Sequence, residues 1–203
     1  MTILTSNPRI AEFMLSEASG QRSRANITVT QSGAMIKSGT ILTKVDTGAG
    51  VATANGGNTG NPTFGTIVVG AAALPGTYTV AFTAATKFTV EDPNGVTIGL
   101  GTTGVAFSHA GMGFTITAGG TPAVVGDSFT IAVAVGTGKY IPYTASAAAG
   151  TADAVIYNHL AAATGDIKAV GFVRDCEVIR DKLIGLDATA EAHLATLGIF
   201  VRG

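Results

Sequence analysis

Residues 138–183 read GKYIPYTASAAAGTADAVIYNHLAAATGDIKAVGFVRDCEVIRDKL, a series of short extended runs separated by small residues. None of these runs carries enough apolar surface to stand alone, because an isolated two-stranded unit is at best marginal in water. The matching stretch lies far upstream, at residues 33–46, where TILTKV (residues 40–45) forms a strand pattern between Gly39 and the turn Asp46-Thr47-Gly48. The two stretches must find each other. The chain between them, residues 47–138, then reads as one domain inserted into a loop of another.

Composition marks the same boundary. Only Lys87, Glu91, Asp92 and Asp127 are charged among the 92 residues 47–138, against 21 charges in the other 111, and 19 of the 28 glycines lie inside. Within this insert four segments repeat one pattern, an aromatic, a threonine and a β-branched residue: Tyr78-Thr79-Val80, Phe88-Thr89-Val90, Phe114-Thr115-Ile116 and Phe129-Thr130-Ile131. A strand alternates its side chains between two faces, so the pattern predicts sheets packed on one side and solvated on the other. Turn signals at Leu74-Pro75-Gly76, Asp92-Pro93-Asn94-Gly95, Ala118-Gly119-Gly120 and Val125-Gly126-Asp127 separate the segments. The expectation is an inserted antiparallel β-sandwich of immunoglobulin-like size, without the paired cysteines and tryptophan of true immunoglobulin domains.

Outside the insert the pattern is also mainly β. Asn26-Ile27-Thr28-Val29-Thr30-Gln31 alternates with period two. Residues 139–144, 153–160, 166–174 and 176–183 supply further extended runs, with Ala147-Ala148-Ala149-Gly150 as a flexible joint. Asp187 is placed to cap a helix over ATAEAHLATL, which Gly198 ends, and IFVR (residues 199–202) closes the chain as an extended tail. The fold class expected is mainly β with one short C-terminal helix. Residues 1–25 hold one apolar cluster, Ile10, Phe13, Met14 and Leu15, and the polar run Gln21-Arg22-Ser23-Arg24; they read as a flexible N-terminal arm that leads into a strand. Such a strand can close its own sheet or add to a partner's edge.

Composition also excludes function classes. A net charge of −1 supplies no basic field to neutralise phosphates, so neither nucleic acid nor an anionic membrane surface is an expected partner. No run approaches the roughly 18 apolar residues of a membrane span, and the opening MTILTSNPRI lacks the basic and apolar regions of a secretory leader. Cys176 is alone, so no internal disulfide is expected.

Chemistry-bearing motifs are equally sparse. Gly99-Leu100-Gly101-Thr102-Thr103-Gly104 matches G-x-G-x-x-G literally, yet Val105-Ala106-Phe107 continues a β pattern where a dinucleotide site needs a helix; it reads as a glycine-rich turn. Gly136-Thr137-Gly138-Lys139 lacks the first glycine and the hydroxyl residue of a phosphate loop. His109, His159 and His193 are too far apart for ligand spacing, and His193 reads as a solvated helix residue. Asp175, Glu177 and Asp181 alternate with Arg174, Arg180 and Lys182 as an exposed face does. No catalytic constellation, metal site or cofactor is expected.

Taken in order, Ala11-Glu12-Phe13-Met14-Leu15-Ser16-Glu17-Ala18, Arg22-Ser23-Arg24 before Ile27-Thr28-Val29, Ser38-Gly39-Thr40-Ile41-Leu42, Ala152-Asp153-Ala154-Val155-Ile156 and Leu197-Gly198-Ile199-Phe200-Val201-Arg202 resemble the head decoration protein family of tailed bacteriophages, the group similar to the small capsid-stabilising protein of phage lambda. The resemblance implies a small mixed β/α base domain of decoration-protein type, residues 26–46 and 139–203, interrupted by the insert. It implies a homotrimer on the outer surface of the expanded head that clamps neighbouring subunits of the major capsid protein, made in the host cytoplasm and carried on the virion. It further implies a structural protein, not an enzyme, whose N-terminal segment touches the shell. That role would fall on Ile3, Leu4, Ile10, Phe13, Met14, Leu15, Arg22, Arg24, Ile27 and Val29. The insert has no counterpart in the short lambda form and would project outward. An alternative is that it carries an adhesive or glycan-binding role on the virion surface, although Tyr78 is its only tyrosine and tryptophan is absent.

Overall fold

The computed structural model describes residues 8–144 and 151–203; Ile3, Leu4 and the joint expected at residues 147–150 lie outside that range. The chain begins with β1 (Met14–Glu17), a 3-10 turn (Ser19–Gln21), β2 (Arg24–Ser32) and β3 (Ile41–Lys44). It continues through β4 (Thr47–Ala54), β5 (Thr63–Phe64), β6 (Val68–Val69), β7 (Gly76–Ala84), β8 (Lys87–Glu91), β9 (Thr97–Thr102), β10 (Ala106–His109), β11 (Met112–Thr117) and β12 (Ser128–Val135). The last part holds β13 (Tyr140–Pro142), β14 (Ala154–Ile156), β15 (Thr164–Phe172), β16 (Cys176–Ile179), a 3-10 turn (Arg180–Lys182), α1 (Ala188–Thr196) and β17 (Ile199–Arg202). The protein is mainly β with one short C-terminal helix. Contacts divide it into two compact units, Met1–Val45 with Gly138–Gly203, and Asp46–Thr137.

The first unit is built on a closed barrel in the order β13-β2-β15-β14-β3. The stretch at 33–46 meets the stretch at 138–183 directly: Leu42 of β3 lies opposite Pro142 of β13 and Ala154 of β14. Short strands here are apolar on consecutive residues because both of their faces are covered. Leu42, Ala154 and Ile156 fill the barrel with Ile27 and Val29, whereas Ile41 and Val155 pack outward with Phe13, Phe172, Val178 and Leu194. Gly171 leaves room for this filling, since a Cβ there would lie 2.8 Å from Cδ1 of Ile27. Buried Gln31 is held through its amide nitrogen, which donates to the carbonyls of Ala34 and Ala161 at 3.1 Å each. Against the outward face lies a three-stranded sheet, β1-β16-β17, together with α1. The Asp187 carboxylate accepts the N–H of Ala190 at 2.6 Å and caps the helix as its sequence position predicts.

The second unit has a five-stranded antiparallel sheet, β4-β12-β7-β8-β9, and a smaller one in which β11 pairs with β10, β5 and β6. In the four repeated segments every aromatic and every β-branched residue is buried while the threonine between them is exposed or half-buried. Phe82, Phe88, Phe107, Phe114 and Phe129 share one core, with neighbouring ring centroids 4.9–6.3 Å apart. Each such side chain contributes about 1.5–3 kcal/mol on burial. The one buried charge is bound by the backbone: the Asp127 carboxylate accepts the N–H groups of Thr59 and Gly60 at 2.8 Å and of Val124 at 3.0 Å. Those donors, Thr59 foremost, hold it below the usual carboxylate range.

The literal G-x-G-x-x-G differs from the sequence expectation. Its first four residues are not a turn but part of β9, and only Thr103-Gly104 turns, with Gly104 at φ +77. The glycines are there for packing. A Cβ on Gly101 would sit 2.1 Å from Cζ of the buried Phe88 ring, and one on Gly99 would sit 2.9 Å from the Phe107 ring. Gly101→Ala is therefore expected to destabilise the protein by about 1–3 kcal/mol, read as a lower urea midpoint. Gly120→Ala, with open space around its Cβ, is expected to stay within about 0.5 kcal/mol.

Candidate interaction surface

The residues expected to form a binding arm divide into three groups. Phe13, Ile27 and Val29 are core residues, at 1%, 5% and 0% exposure. Ile10 and Leu15 are each 55% exposed. Met14 and Arg24 are half-buried, and Arg22 is exposed.

The expectation of a flexible arm over residues 1–25 is therefore corrected for residues 8–25, which are folded onto the first unit. The apolar cluster splits because Phe13 finds a partner. Its ring meets Phe172 edge-on with centroids 5.6 Å apart, and β1 pairs with β16 through Met14 opposite Val178 and Glu17 opposite Cys176. Ile27 and Val29 point into the barrel, where no partner protein can reach them. Arg24 is also committed: its guanidinium donates to both oxygens of Glu17 at 2.8 and 2.7 Å and lies 4.7 Å above the Tyr157 ring. The Glu17 bond is the main reason its pKa is raised. Arg22 faces Asp175 at 3.4 Å with most of its side chain in solvent.

What remains available is a short, well-supported surface. β1 is the end strand of its sheet, pairing only with β16 among the described residues, so one edge presents unpaired backbone groups beside exposed Leu15. The turn preceding it is pinned at several points. Ala11, at φ +58, donates its N–H to Ser38 Oγ at 3.1 Å; Ser38 Oγ donates in turn to the Tyr157 carbonyl at 2.6 Å. Glu12 accepts the N–H of Arg9 at 2.9 Å and the Lys182 ammonium at 2.6 Å. Pro8 O and Ser38 N both meet the His159 ring. Sequence reading gave Ser38, His159 and Lys182 no role in holding this turn, because each lies 27 to 170 residues from the residue it binds there.

The charged face of alternating signs expected around 174–182 consists of discrete pairs. Glu177 accepts from Arg202 at 2.9 and 2.7 Å and from Ser16 at 2.9 Å, and these bonds lower its pKa, Arg202 foremost. Burial pushes the Cys176 thiol up to about 12, so it stays protonated and unreactive. His193 is not a freely solvated helix residue: it is half-buried, and its Nδ1 accepts from the N–H of Ala152 at 3.3 Å. Among the described residues no group of three His, Cys, Asp or Glu side chains could hold a metal ion, and no helix is long and apolar enough to cross a membrane. In the second unit Phe64 is half-buried against the core and the other aromatic side chains are buried in it, so none forms an open platform for a sugar ring.

The family model described as Bacteriophage lambda head decoration protein D matches residues 3–199. No curated protein matches the chain. Among solved structures, FlgL of Xanthomonas campestris is 30% identical over 47% of this chain and 33% of its own, with a TM-score of 0.36. The flagellar junction protein FlgL of Legionella pneumophila is 20% identical over 48% of this chain and 37% of its own, with a TM-score of 0.35. This chain thus spans about a third of the length of those structures. Likeness at such TM-scores decides neither fold nor function.

Two expectations follow from this surface. Phe13→Ala is expected to cost about 3–5 kcal/mol, measured by denaturant unfolding, whereas Ile10→Ser and Leu15→Ser stay within about 0.5 kcal/mol. Glu12, Glu177 and Asp166, the last beside Lys139 and Thr30, are all held below their ordinary range in the folded protein. Their stabilisation is present above the unfolded carboxylate value and lost as pH falls through the folded ones. The melting temperature is expected to be level from about pH 7 to 5 and to fall below about pH 4.

Proposed function

This chain belongs to the bacteriophage lambda head decoration protein D family, and we propose that it acts as a cement: a homotrimer on the outer surface of the expanded head that clamps adjacent major capsid protein subunits. The family match over residues 3–199 carries this reading. The surface at Ile10 and Leu15, beside the open edge of β1, supports it with a physical means of attachment. A partner strand added there gains backbone hydrogen bonds worth about 0.5–1.5 kcal/mol each, and apolar side chains for Leu15 to cover. Three such attachments made together raise the avidity of a trimer by about 10²–10⁴ over one. Clamping by this route requires no catalysis.

In this reading the shell-binding segment is residues 1–7 together with Ile10 and Leu15. Phe13, Ile27 and Val29 serve the fold that presents them. The unit 46–137 is a separable head. Within the first unit Gly138 donates its N–H to the carbonyl of Val45, and Val45 donates to Lys139, each at 2.9 Å, so a short turn can join these ends.

Sedimentation with undecorated expanded heads tests the reading. The protein at micromolar concentration is expected to pellet with the heads, and recovery in the supernatant overturns the cement role. Removing residues 1–7, or combining Ile10→Ser with Leu15→Ser, is expected to weaken binding at least tenfold without lowering the melting temperature. A variant with residues 46–137 replaced by Asn-Gly is expected to keep shell binding.

A further inference from the structure

We propose that β4 is a pairing strand for a second copy of this chain: the β4 strands of two copies lie antiparallel about a two-fold axis at Val51 and join their five-stranded sheets into one. A two-fold axis links chains in pairs, so in the trimer proposed above it links chains of different trimers. The pairing itself does not depend on the cement reading.

β4 ends its sheet. On one side it pairs with β12, from Thr47 opposite Val135 to Ala54 opposite Phe129, and on the other it pairs with no strand among the described residues. Asn55, just beyond it, donates its N–H to the carbonyl of Ser128 at 3.0 Å. Residues of an antiparallel strand alternate the side to which they bond, so Gly50, Ala52 and Ala54 turn their N–H and carbonyl groups to the open side. Natural sheets protect such a row with charge, proline or a covering element. Other end strands have charge at hand: β1 carries Glu17, β17 carries Arg202, and the Lys87 ammonium donates to Thr102 of β9 at 2.7 Å. β4, with the sequence TGAGVATA, has neither charge nor proline, and neither has β12 beside it.

The strand complements itself. With Val51 opposite Val51, Gly50 and Ala52 of one copy face Ala52 and Gly50 of the other, and each such pair exchanges two backbone hydrogen bonds. Every side chain keeps its face. Ala49, Val51 and Thr53, which are exposed in the single chain, share the outer face, where Val51 is 62% exposed. There the two Val51 residues form a non-hydrogen-bonded pair, with Cα atoms about 4.5 Å apart and side chains in contact. No like charges are opposed, because the nearest charged residue, Asp46, falls at opposite ends of the two paired strands.

Cross-linking of the full chain tests the pairing. Two residues in a non-hydrogen-bonded antiparallel pair stand at a separation that a disulfide spans. The native Cys176 stays silent, since it is buried and its thiol is pushed up to about 12. Val51→Cys and Leu100→Cys, the latter 75% exposed on β9 at the other end of the sheet, are oxidised at micromolar concentration and resolved on denaturing, non-reducing gels. Val51→Cys is expected to form a covalent dimer about tenfold or more faster than Leu100→Cys, because pairing holds its thiols together. Adding Ala54→Pro to Val51→Cys removes an outward N–H from each copy while leaving the bonds to β12, and is expected to slow the cross-link about fivefold or more. Equal rates for the two single variants mean random encounter and overturn the proposal. So does a Val51→Cys and Leu100→Cys mixture that cross-links to each other faster than Val51→Cys to itself, because β4 then pairs head to tail with β9.

Discussion

Nine residue pairs join β2 to β15, from Arg24 opposite Phe172 to Ser32 opposite Thr164, and this pairing holds the first unit together. It lines up the barrel interior at Ile27 and Val29, and it brings Phe172 to the face where Phe13 packs. Cross-strand side chains strengthen it on the solvent side, where Thr30 donates to Asp166 at 2.8 Å across 136 residues of chain. Bringing ends that far apart together has an entropic cost that rises only with the logarithm of loop length. The intervening chain also folds on itself, with Gly136 bonded to Asp46 at 3.0 Å, so its own two ends are already close.

The second unit reaches its stability by another route. Only Asp127 among its acidic residues is buried, and backbone N–H groups surround it. The interior is a cluster of phenylalanine rings, and the glycines of β9 let those rings lie flat against a strand. Threonine and alanine are the commonest residues at its exposed positions, with exposed Val51, Leu100, Val125 and Val135 among them.

A residue's place in the N-terminal region depends on which face it turns to. Ile10, Phe13 and Leu15 are equivalent by hydrophobicity, yet one is in the core and two are in solvent. The left-handed turn at Ala11 and the bulge between Met14 and Ser16 break the regular spacing, so no single periodicity assigns the faces. Both irregularities are held by groups from elsewhere in the chain, Ser38 and Glu177 among them. The same limits apply to His159. Its neighbours in sequence give no sign of a role, because both of its partners come from the other end of the first unit.

From sequence alone followed the β character of the chain, the alternation of the four aromatic-threonine-aliphatic segments, the cap at Asp187 and the change of composition at the edges of residues 47–138. These are local properties: side-chain periodicity, turn chemistry and capping act over a few residues and are written in consecutive positions. Tertiary structure alone decided that Phe13, Ile27 and Val29 are core, that Gly99 and Gly101 belong to a strand, and that Ser38, His159 and Lys182 hold the N-terminal turn. The reason is distance along the chain. What buries or binds each of these side chains is supplied by residues that only the closed barrel and the packed sheets bring within reach.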